Sequence, residues 1–334
     1  MNIIIKNIKC FLLIISIFLS CQKNEDGKKP TIVVIPKATT HIFWQSVHAG
    51  AIKAAKELGV NMIWIGPEKE DNRQQQIALV DNQVMNQVDG IVLAPLDAMA
   101  LRRPVRYAVQ RNIPVIIIDS ALRESDEFIS SFIATNNREG GRIAGKNMVR
   151  MLNGKGRVIL LRYLEGSAST EAREEGFLEV LNEFPEIKVV SDEQYGGATK
   201  ASAQQASENL LFRFKDPRGN LTIDGIFCPN ASTTYGMLQA LRRQRLTESV
   251  TFIGFDAEPM LVEGLKNEEI DGLVVQNPMK MGYLGVKMMV QILNGKEVKK
   301  RIDTGVIFIE KKDLENKEIQ ELISPDIDRW LRME

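Results

Sequence analysis

Four planar polar side chains stand close behind short apolar runs: Asp119 after IPVIII (113–118), Asn230 after IFCP, Asp256 after FIGF and Gln276 after GLVV. Each ends in a carboxylate or carboxamide, a group able to hold two adjacent hydroxyls at once. If the apolar runs are strands of an open parallel sheet, these positions lie at the carboxyl ends of strands, where such sheets bind ligands. Aromatic rings accompany them: Phe43 and Trp44 beyond the first run, Tyr195 beyond a later one, and Phe255 immediately before Asp256. A flat ring can stack on the C–H face of a sugar. The combination points to a polyhydroxylated small molecule. Asp and Asn at strand ends are also common turn formers and helix caps, so the reading rests on the set and not on one member.

Other chemistries find no support. The segment GGRIAGKN (140–147) has phosphate-loop spacing, but Asn147 stands where Ser or Thr would ligate magnesium, and Asn136-Asn137-Arg138-Glu139 precedes it instead of an apolar strand. Its glycines suit a closely packed helix better. His41 and His48 are the only histidines, with no HExxH pattern, so no metal site is expected. No serine sits in GxSxG, and Cys228 has no nucleophile context. Asp119 and Asp256 are then hydroxyl binders rather than a catalytic pair. Neither an enzyme nor a cofactor is expected.

These residues need a frame, and the patterning supplies one. TIVVI (31–35), NMIWI (61–65), GIVLA (90–94), IPVIII and FISSFIA (128–134) are short, rich in β-branched residues and barely alternating, as buried parallel strands are. GRVILL, IKVVS, DGIFC, VTFIGF, DGLVV and VIFIE repeat the scheme in the second half. Helical periods separate them; in 43–58 Phe43, Val47, Ala51, Ala54 and Leu58 form one apolar stripe. Strand, helix, strand throughout means α/β. Eleven candidate strands are more than one compact open sheet usually holds, so two doubly wound sheets are expected. The chain's 334 residues also suit about two domains.

Lys+Arg and Asp+Glu both number 43, a balance unsuited to binding nucleic acid. Lys6 and Lys9 precede the uncharged run CFLLIISIFLS (10–20), too short for a membrane span and reading as a signal-peptide core. The run ends at Phe18-Leu19-Ser20-Cys21, which resembles the bacterial lipobox. Residues 1–20 are then a signal peptide, Cys21 the lipidated residue, and 21–30 a polar tether. With Cys10 removed and Cys21 acylated, Cys228 has no disulfide partner.

In combination, the ordered motifs resemble the periplasmic sugar-binding proteins of the ribose-binding type. The resemblance covers about residues 31–310 and rests on IPVIIIDS, FIATNNREGGRIAG, IFCPNASTTYGMLQAL, FIGFDAEP and GLVVQNPMKMGYLGV, each in its strand-to-helix context. It implies two similar lobes joined by a three-strand hinge, the periplasmic binding protein type I arrangement, with chain crossings near Thr135, Gln276 and Gly305. The first lobe would be 31–135 with 277–305 and the second 136–276 with 306–334. Residues 311–334 would either pack on the second lobe, anchored by Trp330, or bind a partner. The resemblance further implies a monomer in the bacterial envelope that closes on a sugar and delivers it to an ABC permease in the inner membrane. Presentation of the sugar to a chemoreceptor or histidine kinase is the alternative.

By the same resemblance Phe43, Trp44, Asp119, Asn230, Phe255, Asp256 and Gln276 are ligand contacts. Three departures are His41, Ala94 and Ser120, which replace residues common in relatives. Arg162 and Glu171 depart further, Glu171 standing by ungapped alignment at the place of a sugar-gripping arginine. The expectation is an Arg162–Glu171 pair at the cleft that alters ligand choice. The alternative for Glu171 is a solvent-facing cap at the start of its helix.

Overall fold

The computed structural model describes residues 29–333; the proposed signal peptide, Cys21 and the tether as far as residue 28 lie outside them. Among the described residues, no helix is long and apolar enough to cross a membrane.

Two six-stranded sheets form the frame. The first contains β1 (Thr31–Ile35), β2 (Asn61–Trp64), β3 (Gly90–Leu93), β4 (Val115–Ile118), β5 (Ser131–Ala134) and β11 (Arg301–Asp303), in the order β11-β5-β4-β3-β1-β2. The second contains β6 (Gly156–Leu160), β7 (Ile187–Ser191), β8 (Gly225–Phe227), β9 (Thr251–Phe255), β10 (Gly272–Gln276) and β12 (Val306–Ile309), in the order β12-β10-β9-β8-β6-β7. Their orders correspond strand for strand, and every pairing is parallel except β10 with β12. The central strands are apolar because helices cover both faces: β3 and β4 are buried at every position. β11 was not foreseen. Its sequence is Arg-Ile-Asp and it lies at a sheet edge, where polar side chains reach water and the pattern gives no strand signal.

The helices follow the sequence periods: α1 (Ile42–Leu58), α2 (Arg73–Met85) and α3 (Arg102–Gln110) on the first sheet, then α4 (Asn137–Met151), α5 (Ala168–Asn182), α6 (Lys200–Arg213), α7 (Ala231–Gln244) and α8 (Pro259–Lys266) on the second. The chain then returns through α9 (Pro278–Leu293), whose Val286 and Met289 join the core of the first sheet.

Three helix pairs touch backbone to backbone, α6 with α7 among them, where a Cβ at Gly236 would lie 2.5 Å from the Ala203 carbonyl carbon. A Cβ at Gly50 would lie 1.9 Å from the Met279 carbonyl oxygen, and one at Gly282 would lie 1.9 Å from that of Val47, so α1 and α9 cross at glycines. In the second lobe a Cβ at Gly141 would lie 1.9 Å from the Arg173 carbonyl oxygen, and one at Gly176 would lie 2.1 Å from that of Arg138, which joins α4 to α5. The GGRIAGKN segment therefore spends its glycines on close packing within α4. Gly140 meets the Phe255 ring and Gly145 meets Val180.

Three crossings between the sheets lie side by side. Thr135 Oγ1 donates to Gln276 Oε1 at 3.0 Å and lies 3.4 Å from Thr304 Oγ1. Asp303 accepts from the amides of Asn136 at 3.2 Å and Gly305 at 2.9 Å, and Gly305 turns the chain at φ +92°.

The C-terminal segment departs from expectation. Leu314, Ile319, Leu322 and Ile323 do pack on the second core, the last three from α10 (Lys317–Ile323). Beyond Ser324 the chain leaves that lobe, because Pro325 cannot continue the helix. Next, α11 (Asp328–Leu331) lies against α1, with Lys53 Nζ 5.7 Å from the centre of the Trp330 ring. The tail thus straps both lobes.

Gly282→Ala is expected to destabilise the protein by about 1–3 kcal/mol, the usual range for overpacking, because the clashing atom is a backbone oxygen that cannot swing away. Denaturant unfolding of the variant checks this, and an unchanged midpoint would contradict the contact.

Candidate ligand site between the two lobes

Asp119 and Asp256 follow β4 and β9 and occupy corresponding places in the two lobes. Both have left-handed backbones, with φ +62° and +71°, a conformation Asp adopts more readily than most residues but still at a cost. Both are buried, so each carboxylate must be paired.

In the first lobe Lys37 lies 2.9 Å from the Asp119 carboxylate, and its Nζ also donates across the cleft to Ser169 Oγ at 3.0 Å. In the second lobe Asp256 accepts from Gln276 Nε2 at 2.7 Å and from the Ala231 amide at 2.9 Å. Arg173, 2% exposed, donates to Asn137 Oδ1 at 2.8 Å and to the Pro229 carbonyl at 2.9 Å. Its guanidinium lies 3.8 Å from the centre of the Phe255 ring. Between the lobes, Glu70 accepts from Trp44 Nε1 and from the Tyr163 hydroxyl. These groups surround a cavity of about 40 Å³, also lined by His41, Phe43, Thr170, Asn230 and Ser232. One water takes about 30 Å³ of liquid, so a sugar enters only by parting the lobes or exchanging these internal bonds for its own.

Six of the expected contacts line this cavity together: Phe43, Trp44, Asp119, Asn230, Asp256 and Gln276. The Phe43 and Trp44 rings meet edge to face, 4.8 Å apart. Asn230 is also a helix cap, its Oδ1 accepting from the Thr233 amide at 3.2 Å, while the residue lines the cavity. Phe255 is fully buried beneath Arg173 and supports that guanidinium instead of offering its own face.

Arg162 and Glu171 neither line the cavity nor pair with each other. Arg162 takes Glu174 at 2.7 Å, while Glu171 accepts from the Gly166 amide at 2.8 Å and from Arg123 at 3.2 Å. The physical reason is helical phase. Residues 169, 170, 173, 174 and 177 are buried on one face of α5, and Glu171 falls to its side at the cleft rim. Tyr195 is 43% exposed and also lies outside the lining.

Sequence reasoning missed Lys37, Glu70, Tyr163 and Arg173. The rule that found Asp119 also reaches Lys37, two residues beyond β1. Arg173 shares a helix face with Thr170 and Phe177, a signal that places it inward. No sequence signal marks Glu70, which comes from the loop between β2 and α2.

Burial pushes the Asp256 carboxyl up against the pull of Arg173, and lowers Arg173 against the pull of its acidic neighbours. Two cations and three carboxylates thus face one another beside amides and hydroxyls. Such a surface offers donors and acceptors in all directions and suits a neutral ligand bearing several hydroxyls. Cys228 is buried in the second core, and burial pushes its thiol well above the ordinary range, away from nucleophile chemistry.

Two such lobes, with ligand groups at their facing strand ends, define an α/β binding protein that closes around a small molecule. The chain belongs to the periplasmic binding protein family, whose domain profile matches residues 32–297. It is 27% identical over 263 residues to the D-allose-binding periplasmic protein of Escherichia coli K12, covering 77% of this chain and 82% of that protein. It is 25% identical over 291 residues to the ribose import binding protein of Salmonella typhimurium, covering 87% and 94%. Among solved structures it matches a carbohydrate transporter solute-binding protein of Agrobacterium radiobacter in complex with D-arabinose, at TM-score 0.84 and 32% identity over 90% of this chain and 100% of that one. A solute-binding protein of Agrobacterium vitis with bound D-fucose matches at 0.83 and 30%, over 88% and 99%. The resemblance to the ribose-binding type is borne out, as is the type I fold.

Burial raises the Glu174 carboxyl to about 7, outweighing the Tyr163 amide and Arg162. A carboxyl whose folded pKa exceeds its unfolded one near 4.5 favours the native state most below the unfolded value, and loses that contribution as pH rises to the folded one. Stability is expected to decline between about pH 4.5 and 7 through this group. Glu174→Gln should flatten that part of the profile of melting temperature against pH; an unaltered slope would contradict the assignment.

Proposed function

We propose that the chain captures a sugar or sugar-like molecule in this cleft and delivers it to an ABC importer. The observation that carries the reading is the convergence of Asp119, Asp256, Arg173, Asn230, Gln276 and the Phe43–Trp44 pair on one cavity drawn from both lobes. The names of its relatives support sugar as the ligand class, and those relatives are binding and transport proteins, in keeping with a protein that catalyses nothing.

The moving units are residues 31–135 with 277–305, and 136–276 with 306–323, turning about the crossings at Thr135, Gln276 and Gly305. A ligand bound by both units favours the closed arrangement by the difference in its affinity for the two states. Protein contacts assist. The Ala98 amide donates to the Gly166 carbonyl at 3.0 Å, the Ser169 amide to Ser120 Oγ at 3.1 Å, and Arg73 to the Glu165 carbonyl at 2.8 Å. The closed pair of lobes is the surface an ABC permease recognises. The chain acts as a monomer in the bacterial envelope, tethered through acylated Cys21 outside the cytoplasmic membrane. Presentation to a sensor would use the same closure, and no residue of the site favours it.

A thermal-shift panel of pentoses, hexoses, polyols and nucleosides on residues 22–334 tests the reading. A cognate sugar at 100 times its Kd should add about 2.7 kcal/mol, and no stabilisation by any sugar would overturn it. Asp256→Asn should weaken the hit about 10–100-fold, since a hydrogen bond to a charged group contributes about 1.5–3 kcal/mol. Glu171→Gln removes only a partly exposed interlobe pair with Arg123, worth at most about 1 kcal/mol, and should weaken binding less than about fivefold without changing which sugar wins.

A further inference from the structure

A serine, threonine or asparagine at the head of a helix ordinarily caps it, the side-chain oxygen accepting from one of the first free amides. Asn72, Asn136, Thr199, Asn230 and Asn277 do this for α2, α4, α6, α7 and α9, each taking the amide three residues on at 2.9–3.2 Å. Ser167 stands in the same place before α5, yet its hydroxyl makes no such bond. The Ser169 amide goes instead to Ser120 Oγ at 3.1 Å, and Ser120 belongs to the first lobe, in the turn after β4. α5 is thus capped from across the cleft.

The Ser167 hydroxyl is engaged elsewhere, again by the first lobe. Lys37 Nζ donates to Ser167 Oγ at 3.4 Å and to Ser169 Oγ at 3.0 Å, and lies 2.9 Å from the Asp119 carboxylate, which accounts for its three protons. Lys37, Ser120, Ser167 and Ser169 are each at most 4% exposed, so these bonds are made out of reach of solvent. Ser169 lines the sugar cavity, whereas Ser120 and Ser167 do not. Parting the lobes would withdraw Lys37 and Ser120 from α5 together, leaving its first turn with Ser167 as the nearest hydroxyl on its own chain segment.

We infer that Ser120 and Ser167 are opposed positioning residues for lobe closure: Ser120 favours the closed state by capping α5 from the first lobe, and Ser167 favours the open state by capping the same helix from within. On opening, the Ser167 hydroxyl leaves Lys37 and turns about χ1 onto the free amides of its own first turn. Because a serine oxygen caps the helix in both states, the two differ little in energy and either serine tilts the balance. The inference rests on the reading of the cleft as one that opens and closes about its ligand. Apparent affinity is the closed form's affinity scaled by the fraction of molecules that can adopt it, so both serines tune binding without touching the sugar.

Two readouts test this on residues 22–334. Met85→Cys and Phe212→Cys, at side chains 72% and 77% exposed on α2 and α6 of opposite lobes, carry nitroxide labels whose separation is read by pulsed electron spin resonance, while Cys228 is buried and stays unlabelled. In the sugar-free protein Ser120→Ala should raise the ratio of open to closed molecules about 3–10-fold, and Ser167→Ala should lower it about 2–5-fold, as loss of a serine cap in one state alone requires. Calorimetry with whichever of D-ribose, D-arabinose, D-allose and D-fucose binds the parent protein most tightly should follow the same signs, Ser120→Ala raising Kd and Ser167→Ala lowering it. A merely structural role for these hydroxyls would weaken binding in both variants. Shifts of both variants in one direction, or no shift in either distances or Kd, overturn the inference, and normal sugar binding alongside that result leaves the main reading standing. Opposite shifts in distance with no sugar bound by any form support the latch and remove the sugar reading.

Discussion

Charged side chains buried between two lobes must be neutralised there, and much of this molecule follows from that constraint. Lys37 balances Asp119 in one lobe, Arg173 faces Asp256 in the other, and Glu70 spans the gap between Trp44 and Tyr163. None of these groups is left to itself in the closed arrangement. Opening the lobes breaks the bonds that cross, Lys37 to Ser169 and Glu70 to Tyr163, and returns those groups to water. The sign of closure is therefore set by whether a ligand's hydroxyls satisfy the same atoms better than water and each other do.

Holding these charges in register requires a stiff frame. The glycine crossings supply it, since a backbone in van der Waals contact with another backbone has no side chain through which to slide. At Gly141 the contact is with the carbonyl of Arg173 itself, so the packing of α4 on α5 fixes the root of the guanidinium that Phe255 supports from below. Gly140 touches that same ring. A motif that imitates a phosphate loop thus acts as the bed on which the cavity-lining Arg173 rests.

Most of the frame was legible because buried parallel strands must be continuously apolar, and the strand-end rule then found Asp119, Asn230, Asp256 and Gln276. What escaped did so for physical reasons. β11 lies at an edge and needs no apolar signal, and the strap leaves its lobe at a proline whose consequence depends on where α1 happens to lie. Arg162 and Glu171 were drawn to the cleft by alignment, whereas the phase of α5 turns Arg173 inward and gives Arg162 to Glu174. Phe255 was read as a stacking face because it precedes Asp256, yet alternation along a strand sends neighbours to opposite sides, and the ring faces α4 while the aspartate faces the cleft.

The strap changes what closure means in this chain. With three short crossings alone, only the crossings and the contents of the cleft oppose or favour the hinge. Here α10 is fixed to the second core and α11 to α1, with Ser324–Ile327 between them, so a fourth connection spans the lobes at the side where Phe43 and Asp256 meet. Separation must either stretch those four residues or detach α11, whose hold includes Trp330 beneath Lys53. A cation over an indole contributes roughly 0.5–1 kcal/mol when exposed, comparable with a single surface ion pair such as Arg123–Glu171. Each restraint is weak, and together they bias the lobes toward closure without locking them, which leaves the bound molecule to decide the state.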